Sequence, residues 1–126
     1  MTDNVLRLTA RILLSILFAV TGYWKVADPT SSSRLLGSMH LPAPELLAYA
    51  IGIGEILAAA ALVAGFRIRP LGFMLAIWCI ATGLIVHIAM PLDVMKNFGL
   101  AGGFLLLAVD GGGQIAIDRK SRPVSS

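Results

Sequence analysis

The chain has 126 residues, of which 57% are hydrophobic and 13% charged, and its mean hydropathy is +0.85. A soluble domain carries about 25% charged residues, so this chain has roughly half the charge needed to clothe a water-facing surface, which argues against a water-soluble enzyme. Ten Lys/Arg against seven Asp/Glu leave a net charge of +3, but the basic residues are scattered between apolar blocks and form no nucleic-acid-binding stripe; Cys79, the only cysteine, excludes an intrachain disulfide framework.

A spanning helix needs about 20 mainly apolar residues, because the hydrocarbon layer is about 30 Å thick. Four segments meet that need. The first, residues 5–26, has an uncharged centre and is predicted to seat Arg7, Arg11 and Lys25 by snorkelling, with Tyr23 and Trp24 as an aromatic belt. No small-x-small cleavage site precedes Tyr23, so the segment reads as an uncleaved helix and not as a signal peptide. An outer loop, residues 27–43, follows. It opens on a turn-forming cluster, Asp28-Pro29-Thr30-Ser31-Ser32-Ser33, and residues 34–39 suit a short interfacial helix that would serve as a lid or docking site.

The second span, residues 44–66, is apolar apart from Glu45 and Glu55, and residues 65–69 make a tight inner turn. The third, residues 70–92, has no Asp, Glu, Lys or Arg and carries His87 near its end. Pro91-Leu92-Asp93 reads as a tight outer turn with Asp93 as N-cap of the fourth span, residues 94–110, the shortest of the set. Gly111-Gly112-Gly113 ends it, and the tail after Asp118 reads as a disordered basic end. No internal repeat is visible. The expected fold is a single all-α domain over residues 1–126, an antiparallel four-helix bundle integral to the membrane. Seven basic residues (Arg7, Arg11, Arg67, Arg69, Arg119, Lys120, Arg122) share one side against three (Lys25, Arg34, Lys96) on the other, which puts both termini in the cytoplasm.

The scarcity of charge makes the few intramembrane polar residues informative. An unpaired charge at mid-depth costs at least about 2.5–3.5 kcal/mol, so a carboxylate there is a functional candidate by default. Glu55 lies about 16 Å down the second span from Pro44, near the midplane. Its helical face carries Ala48, Gly52, Ala58 and Ala59, small residues that let helices approach, so Glu55 is expected to point inward. His87, Lys25, Lys96 and Asn97 are expected in the outer half above it, as one polar cluster. Gly99 and Gly103 form a GxxxG, with Gly52, Gly54, Gly102 and residues 58–61 as further close-approach surfaces. Trp78 sits mid-span, where it packs or lines a pocket for an aromatic ring. No nucleotide motif is present, and with His40 in the outer loop and His87 the only other histidine, no metal site is expected.

Taken in order, Arg11 to Phe18 with Gly22-Tyr23-Trp24-Lys25, Leu41-Pro42-Ala43-Pro44, Gly54-Glu55, Gly65-Phe66-Arg67-Ile68-Arg69, His87, Lys96-Asn97, Gly102-Gly103 and Asp110-Gly111-Gly112-Gly113 resemble the DoxX family of small four-helix membrane proteins. The resemblance covers nearly the whole chain. It implies membrane redox chemistry linked to a quinone as substrate, with Glu55 and His87 as catalytic positions and Lys25, Lys96 and Asn97 as quinone-binding ones, to which the mid-span position of Trp78 adds a ring-lining candidate. His87, Lys96 or Asn97 would donate to a quinone carbonyl while Glu55 relays protons. Since the chain has no electron-transfer motif of its own, a membrane or periplasmic partner, another copy, or the substrate must supply the electrons. The competing expectation is a non-catalytic accessory or assembly subunit of a larger membrane complex, in which the polar cluster only fixes the helices.

Overall fold

The computed structural model describes residues 2–117, which form five helices: α1 (Thr2–Ala27), α2 (Thr30–Ser38), α3 (Pro44–Ala64), α4 (Ile68–Ile85) and α5 (Pro91–Asp110). The protein is all-α, with no strand among the described residues, and α1, α3, α4 and α5 are each long and apolar enough to cross a membrane. The tail predicted after Asp118, with Arg119, Lys120 and Arg122, lies outside the described residues. Large side chains such as Leu13, Leu57, Phe73, Leu84, Leu106 and Val109 are exposed, while Ala48, Ala59, Ala76 and Ala101 are buried. That inversion suits a hydrocarbon solvent: an apolar exterior costs nothing there, and small residues let helix backbones come close.

The helices separate into two compact units, one of residues 15–60 and one that takes the chain up to Leu14 and from Ala61 onward. In the first, α1 meets α3 through glycine. A Cβ on Gly22 would lie 2.7 Å from the Gly52 carbonyl oxygen, and one on Gly52 would lie 2.8 Å from the Cβ of Lys25. Gly22→Ala is therefore expected to cost about 1–3 kcal/mol, because a backbone oxygen must yield. Thermal unfolding in mild detergent checks this, with Gly54→Ala as control, since a Cβ there meets nothing within 4 Å.

In the second unit α4 packs on α5. A Cβ on Gly72 would come within 2.7 Å of the Phe104 carbonyl oxygen, and one on Gly83 within 3.1 Å of the Asn97 Cβ. Nothing in the sequence marks Gly22 and Gly72 as contact points, whereas a Cβ at Gly54, Gly99 or Gly102, expected to be contact surfaces, meets nothing within 4 Å among the described residues.

Arg11 corrects the sequence reading most sharply. It is 0% exposed and does not snorkel. Its Nη1 donates to the carbonyls of Leu62 and Val63, each at 3.2 Å, and its Nη2 donates to the Ile115 carbonyl. The last turn of a helix leaves carbonyls without partners and carries the negative end of the macrodipole; a cation from α1 satisfies both needs of α3. Arg7 likewise has a protein partner, with Nε 2.6 Å from Asp110 Oδ2 and Nη2 3.2 Å from Oδ1. The segment after α5 folds back over the same end: Gln114 N–H donates to Asn4 Oδ1 at 3.1 Å and Ile117 N–H to the Ala64 carbonyl at 2.9 Å. Gly111 and Gly113, both at φ 82, supply the left-handed backbone this path requires.

Several boundaries differ from expectation, four of them for evident local reasons. α2 takes in residues 30–33, because Pro29 at φ −76 is pre-set for a helical turn and Asp28 Oδ1 accepts the Thr30 N–H at 3.2 Å. The Thr30 hydroxyl and N–H together hold the Asp28 carboxyl below its usual range. α3 stops at Ala64, where Gly65 takes φ 79. α4 ends at Ile85 and not at Leu92: the Thr82 carbonyl accepts from both Val86 N–H (2.9 Å) and His87 N–H (3.2 Å), while the Thr82 hydroxyl bonds back to the Trp78 carbonyl at 2.9 Å. Residues 91–93, expected as a turn, are the first turn of α5. Pro91 at N1 needs no N–H partner, and Met90 before it is extended at φ −121, ψ 88. Met90 is thus the N-cap in place of Asp93, and α4, at 18 residues, is the shortest span.

Candidate functional site

The predicted site residues fall into two groups, one in each unit. The first is built by α1 and α3. Glu55 is 9% exposed and shares its face with buried Ala48, Gly52, Ala58 and Ala59, as the spacing of small residues predicts. Glu55 Oε2 accepts from Lys25 Nζ and from the Thr21 hydroxyl, each at 2.9 Å, and Oε1 accepts from Lys25 Nζ at 3.2 Å. Lys25 is therefore an ion-pair partner and not a snorkelling anchor. Thr21 and Lys25 stand four residues apart on one face of α1, with Gly22 at the point where that helix meets Gly52.

The sequence alone does not single out Thr21. The available signal was its i−4 relation to Lys25, and it became legible only once the Gly22–Gly52 contact set the two helices in register. The physical reason for a third member is the cost of burying charge. An ion pair removed from water is tolerable only if hydrogen bonds satisfy the remaining lone pairs, and the threonine hydroxyl supplies one of them.

The second group lies on α4, α5 and the turn between them. His87 sits in that turn and not on the helical face of Gly83 and Ala76. Its Nδ1 is buried with no hydrogen-bond partner among the described residues. Asn97 is 7% exposed, packs at Gly83 and donates its Nδ2 to the Asp93 carbonyl at 2.9 Å. Lys96 Nζ lies 3.1 Å from Asp93 Oδ1, with the lysine side chain 53% exposed. A pair so open to its surroundings contributes little to stability. Trp78 is half-buried and Cys79 is buried. Of the three donors expected for a carbonyl ligand, Lys96 and Asn97 are thus engaged within α5, and His87 keeps an unused ring nitrogen. Among the described residues no three His, Cys, Asp or Glu side chains gather as a metal site.

The family model described as DoxX matches residues 6–88. That stretch takes in Lys25, Glu55, Trp78 and His87 and stops before Lys96 and Asn97. Two proteins of Escherichia coli K12 are similar over most of the chain. Inner membrane protein YphA is 32% identical over 126 residues, covering 92% of this chain and 90% of its own. Inner membrane protein YqjF is 32% identical over 125 residues, covering 93% and 92%. No solved structure matches the chain.

Proposed function

Since this chain belongs to the DoxX family of integral membrane proteins, we propose that it is a small subunit of a quinone-linked redox system, with Glu55 as its proton-carrying group. The observation that carries this reading is the buried Lys25–Thr21–Glu55 constellation within two spans, with 2.9 Å contacts. An ionisable pair inside a membrane is expensive to keep, and proton relays are one of the uses that retain it. Reducing a quinone takes two electrons and two protons. Glu55 exchanges protons with Lys25 and the route to water. The electrons come from a partner protein or a thiol-type substrate. The inner-membrane names of both relatives support the same location here. The excess of basic residues on one side supports cytoplasmic termini.

A second reading, a non-catalytic accessory or assembly subunit, has its own support. Both Glu55 oxygens accept from Lys25, and Oε2 also from Thr21, as structural glue would. Glu55→Gln separates the two. Its shape and much of its hydrogen bonding survive, so expression and assembly are expected to be normal, while quinone reduction by isolated membranes falls about 100-fold, the lower end of what general acid–base groups contribute. Unchanged reduction in normally assembled protein overturns the relay and leaves the accessory role.

A further inference from the structure

The Lys25–Glu55 pair stands at a step in its own unit. Thr21 touches Glu55 and Val26 lies at Gly52, so later residues of α1 meet earlier residues of α3. α1 ends at Ala27, beside the second contact, whereas α3 begins at Pro44, about two turns before Gly52. Residues 28–43 bridge that step within the same unit, and α2 is their helix. One face of α2, with Ser32, Ser33 and Leu36, is buried or half-buried, while Ser31, Arg34 and Ser38 on the other are exposed. The pair is open on its lysine side: the Lys25 side chain is 22% exposed and that of Glu55 10%. Lys25 stands close to the end of α1, where the chain turns into α2.

α2 is lightly held. Leu36, 8% exposed, is its one buried residue, and its link to α3 is strained. His40 at φ 58 and Ala43 at φ 46 both take left-handed values that cost a residue carrying a Cβ. At His40 a helix-ending pair of bonds offsets the cost: His40 N–H donates to the Gly37 carbonyl at 3.0 Å and Leu41 N–H to the Leu36 carbonyl at 3.3 Å. Ala43 starts α3, its carbonyl accepting the Leu47 N–H at 2.9 Å, yet alanine supplies no capping oxygen. Strained residues persist where packing holds them and gather at segments that switch. A helix with one buried anchor and a strained tether belongs to the part of a fold that opens first.

We propose that α2 is a hinged lid over the Lys25–Thr21–Glu55 site, shut in this structure, which opens about residues 40–43 to let water reach Lys25. Its place in turnover rests on the proton-carrying role proposed for Glu55; the closure itself does not. Leu36 holds the lid down, and the chain from Gly37 to Pro44 is the arc that changes when it lifts. A Cβ on Gly37 would lie 3.9 Å from the Pro44 Cβ, a separation that a disulfide spans.

The test staples this arc. Gly37→Cys/Pro44→Cys, in the full chain in dodecyl maltoside, is either oxidised or kept reduced. Access to the pair is read with a water-soluble carbodiimide and glycinamide, by mass spectrometry of the Glu55 and Asp93 peptides. Oxidation is expected to slow the loss of the free Glu55 carboxyl at least about tenfold, the scale of restraint a disulfide imposes on its loop. Asp93, in the other unit and paired with exposed Lys96, is expected to react alike in both states. Leu36→Ala works in the opposite sense and leaves α3 intact: with the anchor cut back, Glu55 is expected to react about tenfold faster at an unchanged Asp93 rate. Should the cysteine pair fail to fold or to close, Leu36→Ala decides the matter. Equal Glu55 rates in oxidised and reduced protein, or a Leu36→Ala rate equal to that of the unmodified chain, would overturn the lid. Quinone reduction is measured on the same stapled protein in membranes. A staple that shields Glu55 while reduction continues keeps the lid and removes Glu55 from the proton route, so the two readings fail separately.

Discussion

Replacing Arg11 with methionine is expected to be among the most damaging single changes in this protein, lowering stability by several kcal/mol. Methionine keeps the volume and apolar character that a membrane helix tolerates, so a snorkelling arginine would be replaced at little cost. The buried Arg11 is different: its loss strands the carbonyls of Val63 and Ile115 and leaves that of Leu62 with only the 3.3 Å bond from the Gly65 N–H. Each stranded acceptor costs about 1–3 kcal/mol where no water can replace the donor. Arg11→Lys is expected to rescue only part, because one ammonium lacks the planar fork that reaches carbonyls from two chain segments at once. Thermal unfolding of the detergent-solubilised variants measures both. Gly65→Ala should resemble Arg11→Met, since a Cβ at Gly65 would overlap Arg11 Nη1 and Ala116, and its φ of 79 disfavours any L side chain. A thermal midpoint unchanged by Arg11→Met would mean that the side chain faces solvent or lipid headgroups instead.

The second large effect concerns the Lys25–Glu55 pair. Lys25→Met leaves a buried carboxylate without its counter-ion and is expected to destabilise by about 2–4 kcal/mol. That is less than a fully buried pair would lose, because the Lys25 side chain keeps 22% exposure. Lys25→Met/Glu55→Met removes both charges, and stability is expected to return close to that of the unmodified protein, since apolar replacement of a buried pair is often neutral or better. Activity should not return with it. This pair of variants thus reads structure and chemistry separately: a double variant that folds but does not support quinone reduction is what the relay requires. Full activity in it would place the redox chemistry elsewhere.

Part of the candidate site was legible before the fold was known. Glu55 stood out because a carboxylate in an apolar span has no cheap place to go, and the alanines and glycine at helical spacing around it marked an inward face. Lys25 was less legible. A lysine at a helix end fits a headgroup anchor equally well, and only the approach of α1 to α3 at Gly22 and Gly52 turns it into a partner for Glu55. His87 was read on a helix face because nothing in an apolar run marks where the last turn stops. The hydrogen bonds of Thr82 and the proline at N1 of α5 decide that.

The sequence by itself determined the all-α class, the four spans and the inward carboxylate, because length, hydropathy and helical period answer directly to the thickness and polarity of the surrounding hydrocarbon. Only the tertiary structure decided what the cations do. Arg7, Arg11 and Lys25 look alike along the chain, yet one pairs with Asp110, one caps the end of α3 and one joins Glu55 and Thr21. The reason is that a long basic side chain reaches several ångströms in any direction from its helix. Its partner is chosen by which carboxylate or carbonyl a neighbouring helix brings within about 3 Å, and that proximity is a property of packing between segments far apart in the chain.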